Sequence, residues 1–184
     1  FGNLAGDPIP QYCFEMPDYF TFWVRVKPYF AYDTTESHRI FTWRIDDTHR
    51  LILYYRSAED KISLYWRDGG TDCFLWSQQF DDGTSYDNLN QWLDIVGVID
   101  LRTSQSTGSS FYVNWVLRDS DWGGNIDVKS FNFPILSIGH GAGANHWDGE
   151  IAFLRIWPNY LATSTDISNR MRNIKAEEVY WSFN

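Results

Sequence analysis

Leu51-Ile52-Leu53-Tyr54-Tyr55-Arg56 is followed by Ser57-Ala58-Glu59-Asp60 and then by Lys61-Ile62-Ser63-Leu64-Tyr65-Trp66-Arg67. In the first run Leu51, Leu53 and Tyr55 share one face; in the second Ile62, Leu64 and Trp66 do. Side chains alternate across a strand, so this period of two predicts half-buried β-strands over Leu51–Arg56 and Ile62–Arg67 and excludes an amphipathic helix. The four polar or small residues between them have the length and character of a hairpin tip. The two runs are therefore expected as antiparallel neighbours, with Tyr54 and Tyr65 on the register that faces away from the core.

The same pattern extends in both directions. Tyr19–Val26 places Phe20, Phe22, Val24 and Val26 on one face, and Pro28, which has no N–H for a ladder, ends the strand. Ile40–Ile45 directs Phe41, Trp43 and Ile45 one way before the polar Asp46-Asp47-Thr48-His49. Asp68-Gly69-Gly70 supplies a turn, Cys73–Gln78 a further strand, and Asp81-Asp82-Gly83 a break. Later strands are expected at Trp92–Ile99, Phe111–Arg118, Lys129–Phe133, Pro134–Gly139 and Gly149–Trp157, with Thr103–Ser110 as a hairpin tip. Phe20, Phe22, Trp43, Trp92 and Trp115 are expected in the core. One short helix near the C-terminus is predicted, capped by Thr163 or Ser164 and running through Asp166, Ile167, Met171 and Ile174. A closing strand at 179–183 is expected to pair near Tyr12-Cys13-Phe14. Many short strands with regular turn signals predict an all-β, antiparallel, two-sheet jelly-roll sandwich, one domain over 1–184.

Composition bounds the function. The 184 residues are 43% hydrophobic and 18% aromatic, as in a packed globular chain. Fifteen Lys+Arg against 24 Asp+Glu leave a net charge of -9, so nucleic acid and anionic membrane surfaces are unsuitable partners. No apolar run approaches the about 18 residues needed to cross a bilayer, so no membrane insertion is expected. A start at Phe1 is the expected look of a processed or excised piece. Cys13 and Cys73, the two cysteines, allow either one disulfide or two thiols.

The segment Gly149-Glu150-Ile151-Ala152-Phe153-Leu154-Arg155-Ile156-Trp157, with Leu161 and then Asp166-Ile167, resembles the closing motif of laminin-G-like domains in the concanavalin A-like lectin/glucanase superfamily. Phe20-Thr21-Phe22-Trp23-Val24-Arg25-Val26-Lys27-Pro28 is similar to that family's early strand, with the Trp displaced. Gln91-Trp92-Leu93-Asp94-Ile95-Val96-Gly97-Val98 with Phe111-Tyr112-Val113-Asn114 resembles its central pair. The likeness spans about residues 15 to 172. The chain departs from the pattern where Ala152 and Phe153 replace acidic residues, and where Asn114-Trp115 replaces the usual Asp-Gly turn.

Glucanases of this fold place paired carboxylates on a Glu-x-Asp-x-x-Glu strand, and none of Glu15, Glu36, Glu59, Glu150, Glu177 or Glu178 has Asp two positions later. The expectation is a chain without enzymatic activity. His140, His146 and Asp148 in a Gly-rich loop are read as a solvated connection ahead of a metal set, because their spacing matches no helical ligand motif. The resemblance implies calcium at a rim of the sandwich, where Asp46, Asp47, Asp119 and Asp121 are the candidate metal ligands. Ten Trp and 11 Tyr suit sugars, whose C–H faces stack on aromatic planes while hydroxyls take Asp, Asn and Arg. Tyr54, Tyr65, Trp122 and Trp147, with Asp121 and Asn145, are the candidate ligand-binding residues. The resulting expectation is an extracellular or surface-associated module recognising a glycan or glycoprotein, with calcium assistance in view. Two alternatives stand beside it: an assembly or adhesion module of a surface fibre or virion contacting other protein chains, and a glycoside hydrolase or lyase.

Overall fold

A computed structural model describes residues 12–13, 16–30, 34–77, 90–104, 108–120, 122, 125–130, 135–139, 145–171 and 179–182. The strands run β1 (Tyr12–Cys13), β2 (Tyr19–Pro28), β3 (His38–Arg44), β4 (His49–Arg56), β5 (Lys61–Asp68), β6 (Cys73–Trp76), β7 (Leu93–Asp100), β8 (Ser110–Val113), β9 (Val116–Asp119), β10 (Ile135–Ile138), β11 (Gly149–Pro158) and β12 (Val179–Ser182). One helix, α1 (Ser164–Ser168), precedes β12. The front sheet has the order β1-β10-β3-β4-β5-β6 and the back sheet β12-β11-β2-β7-β8-β9. Every pairing is antiparallel, as a jelly-roll sandwich requires.

Alternation decides what fills the space between the sheets. Phe41, Trp43, Leu51, Leu53, Ile62, Leu64 and Trp66 come from the front sheet and meet Phe20, Phe22, Val24, Ile95 and Phe111 from the back, all fully buried. The Phe20 ring meets Trp43 edge-on at 5.3 Å and Phe22 meets Phe41 edge-on at 5.1 Å, contacts that add about 0.5–1.5 kcal/mol each beyond area burial.

A second apolar cluster lies on the outer face of the back sheet. There Val96, Val98 and Trp157 are covered by Ile167 of α1 and Met171, with Tyr160, Leu161 and Ala162 packed alongside. Thr21 ties this covering down: its hydroxyl donates to the Tyr160 carbonyl at 2.9 Å and accepts from Ala162 N–H at 2.9 Å.

Several expectations need correction. Phe111–Arg118 is a hairpin, because Asn114 and Trp115 both take positive φ, 51° and 69°, and turn the chain. Trp115 therefore packs half-buried against Trp23 on the outside of the back sheet. Trp92 precedes β7 and is 38% exposed, with Arg25 and Lys27 over its ring. Lys129 and Ser130 are not strand. β12 pairs with β11, and β1 with β10, so the first and last strands edge different sheets. The helix stops at Asn169, where Arg170 and Met171 turn to φ 51° and 56°; Ile174 lies outside the described residues.

Candidate functional site

A cleft of about 260 Å³ opens on the outer face of the front sheet. β4 lines its floor, since Arg50, Ile52, Tyr54 and Arg56 stand at every second position facing away from the core. Ladder register places Tyr65 of β5 beside Ile52 and Phe74 of β6 beside Tyr65. Arg39 of β3 reaches the same cleft because of a bulge. Arg39 pairs with Tyr54 and Phe41 pairs with Leu53, leaving Ile40 as the extra residue. Strict alternation from Phe41 would turn Arg39 towards the core, and the extra residue returns it to the outer face.

Ser37 and Asn145 close one end of the cleft. The Asn145 loop is pinned by a hydrogen bond of 3.0 Å between His38 Nδ1 and the His146 carbonyl. Trp147 anchors it further: its backbone N–H donates to Gly139 O at 3.0 Å and its indole N–H to Glu150 O at 3.2 Å.

Cations and rings alternate along the wall. The Arg50 guanidinium sits 5.0 Å from the Tyr65 ring centre. Tyr65 lies 5.0 Å from Phe74, which stacks on Trp76 at 4.7 Å with a 20° interplanar angle. Arg56 lies 4.9 Å from Phe74 and 5.5 Å from Trp76. Tyr65 donates its phenolic proton to Asp72 at 2.8 Å and accepts from Arg50 at 3.4 Å. Burial pushes the Tyr54 and Tyr65 phenols above their ordinary values, so both are protonated donors at neutral pH. The cleft thus offers ring faces for C–H groups and N–H and O–H donors for hydroxyls or anions. Among the described residues its lining contains one carboxylate, Asp72.

Of the residues singled out in the sequence, Tyr54, Tyr65 and Asn145 come together here, although Tyr65, expected at the surface, is only 5% exposed between its strand neighbours and Arg50. Trp122 and Trp147, expected at the surface, are only 3% and 8% exposed and belong to the main core. Trp147 packs edge-on against Phe30 at 5.2 Å, because anchoring the loop before β11 requires a buried apolar group. Asp121 and His140 lie outside the described residues.

The acidic candidates serve turns. Asp46 accepts from Thr48 N–H at 2.7 Å and His49 N–H at 2.9 Å, and the His49 side chain first, then the Thr48 hydroxyl and N–H, hold its carboxyl well below the usual range. Asp47 pairs with Arg44 at 3.0 Å and Arg50 at 3.3 Å. Asp119 accepts from the backbone of Trp76 at 3.0 Å and of Ser120 at 2.8 Å. Among the described residues no group of three or more His, Cys, Asp or Glu is arranged to hold a metal ion. Cys73 is a buried free thiol, pushed up by burial; the Cys13 side chain lies outside the described residues.

Arg39, Arg50, Arg56, Asp72, Phe74, Ser37 and Ile52 were not singled out in the sequence. Extending the Tyr54 register by two residues in each direction gives Arg50, Ile52 and Arg56 directly. No comparable signal marks Arg39.

Comparison with known proteins follows the fold. A laminin-G-type family model, described as the concanavalin A-like lectin/glucanases superfamily, matches residues 14–168. No curated protein matches the sequence. Among solved structures, domain 4 of an extracellular arabinanase from Geobacillus stearothermophilus, in complex with arabinotriose, aligns with TM-score 0.62 at 16% identity, covering 91% of this chain and 82% of that one. A SAP-like pentraxin from Limulus polyphemus gives TM-score 0.60 at 15% identity, covering 97% and 88%. A sialidase carbohydrate-binding module from Ruminococcus gnavus, bound to α2,3 sialyllactose, gives TM-score 0.58 at 12% identity, covering 83% of each chain. At these identities the likeness is one of fold.

Proposed function

The chain belongs to the concanavalin A-like lectin/glucanase superfamily, and on that premise we propose that it is a non-catalytic extracellular carbohydrate-binding module whose ligand lies in the cleft over β4 and β5. The observation that carries this reading is the convergence of Tyr54, Tyr65 and Phe74 with Arg39, Arg50, Arg56 and Asn145 around one open space. Such a mixture of ring faces and directed donors suits a polyhydroxylated ring. The arabinanase domain and the sialidase module were each solved with a saccharide, which supports the class of ligand. Among the described residues the one lining carboxylate, Asp72, is engaged by Tyr65 and Arg67, whereas glycoside hydrolysis takes two carboxyl groups; this supports binding without turnover.

A glycan array followed by calorimetry tests the reading, run with calcium and with chelator as separate arms. Saturable binding that weakens on Phe74→Ala and Tyr54→Ala supports it. An array without a hit in either arm sinks it. A polysaccharide panel tests the absence of turnover, and release of reducing ends would overturn that part alone.

An assembly role has one observation of its own: Val116 and Leu117 of the edge strand β9 are 51% and 52% exposed. Sedimentation at rising concentration tests it, and a monomer throughout counts against self-association.

A further inference from the structure

The cleft has a charge opposite to that of the chain that carries it. The protein has a net charge of -9, yet among the described residues three arginines and one aspartate line this space. Two of the arginines are shared with nearby carboxylates: Arg50 lies 3.3 Å from Asp47 and Arg56 2.6 Å from Glu59. Asp72 is itself taken up by Arg67 at 3.4 Å and by the Tyr65 hydroxyl. Arg39 is different, since it makes no ion pair with any described residue.

Arg39 is also half-buried, with Arg50 and Arg44 as like-charged neighbours; Asp47 offsets them only in part and is itself paired with Arg44 and Arg50. Burial first, and those two guanidinia second, pull it below the ordinary arginine value. It stays charged all the same, because no protein environment deprotonates a guanidinium at neutral pH. A cation kept partly out of water beside two others is costly unless an anion joins it. The bulge at Ile40 puts it there, so the backbone itself is shaped to present this charge on the cleft face.

We propose that the saccharide taken by this cleft is an acidic one, whose carboxylate or sulfate is held by Arg39 with Arg50 and Arg56 alongside. The planar guanidinium fork matches either oxyanion with two parallel hydrogen bonds. Tyr54 and Phe74 offer their rings to the sugar, while the arginines select its charge. The inference rests on the carbohydrate-binding reading above and deepens it.

Calorimetry with uronic-acid oligosaccharides and sulfated oligosaccharides, each beside its carboxyl-reduced or desulfated counterpart, tests it. The charged member of a pair is expected to bind about 10- to 100-fold more tightly than the neutral one. Arg39→Ala is expected to remove most of that preference without lowering the thermal midpoint of the free protein, and Arg39→Lys to restore part of it. Whichever of the two charged series binds identifies the oxyanion. A second arm does not depend on any variant folding: affinity for the charged oligosaccharide falls as salt is raised, and affinity for a neutral one does not. Equal binding of charged and neutral members, with no salt dependence, overturns the acidic class and leaves the carbohydrate reading standing. Absence of binding to every saccharide, charged or neutral, overturns both.

Discussion

Gly97 has no side chain because Phe22 occupies the space: a Cβ built there would lie 2.2 Å from the Phe22 ring. Gly97→Ala therefore displaces a core aromatic and is expected to cost about 1–3 kcal/mol in urea unfolding. Gly149 is more constrained still. It sits at φ 150°, and a Cβ would stand 2.1 Å from the Lys27 carbonyl oxygen, which is backbone and cannot swing away. This gives the glycine that opens the family-like closing motif a physical reason. Gly149→Ala should destabilise more than Gly97→Ala, and the reverse order in the same denaturant series would refute the assignment. Asp166 makes a pH-dependent contribution. Its bond from Thr163, then the one from Tyr160, holds its carboxyl below the ordinary value, and burial together with Asp166 pushes the Tyr160 phenol up to about 12. A carboxyl depressed by folding stabilises above its unfolded value, about 3.9, and loses that contribution as pH falls through the lower folded value. The gap in melting temperature between the wild type and Asp166→Asn should narrow as pH drops from about 5 to about 3. A constant gap would place the effect of Asp166 elsewhere.

The β8–β9 hairpin has a two-residue loop, Asn114-Trp115, with positive φ at both positions, as a type I′ turn requires. Asn tolerates that conformation and Trp does not, at a cost of about 1 kcal/mol or more. Edge-to-face packing of Trp115 on Trp23 at 4.9 Å offsets it. Trp115→Gly removes the packing and the strain together, whereas Trp115→Ala removes the packing and keeps the strain. Thermal melts should rank the Gly variant above the Ala variant by about 1 kcal/mol; equal stabilities would mean the turn is unstrained. The same hairpin marks a limit of pattern reading. Phe111, Val113, Trp115 and Leu117 keep perfect alternation, so period two alone runs them into one strand and misses a turn that lacks glycine. Bulges set a second limit. Faces of β2, β4 and β5 are legible because the β2–β7 and β4–β5 ladders run without an extra residue. Arg39 is not, since the extra Ile40 between it and Phe41 inverts its face. Tyr54 and Tyr65 could be found as cleft residues from register alone. Trp122 and Trp147 could not be assigned from their loop positions, because a loop that must be anchored buries its aromatic.

At the scale of the molecule the two sheets present unequal outer faces. The back sheet spends much of its outer face on a second apolar cluster, closed by Tyr160–Ala162, α1 and Met171, while the front sheet leaves its own open as the cleft. Rigid ladders beneath that cleft mean little ordering is needed on binding, so a ligand acts mainly by mass action on the folded state. At a free concentration about 100 times Kd it would stabilise by about 2.7 kcal/mol, which for a domain of this size raises Tm by roughly 5–10 °C. Backbone amide shifts should change along β3–β6 and the Asn145 loop, with β11 and α1 unmoved. Perturbations centred instead on α1 or Trp157 would move the binding face to the other sheet, and a stabilisation that survives Phe74→Ala undiminished would take the ligand out of the cleft altogether.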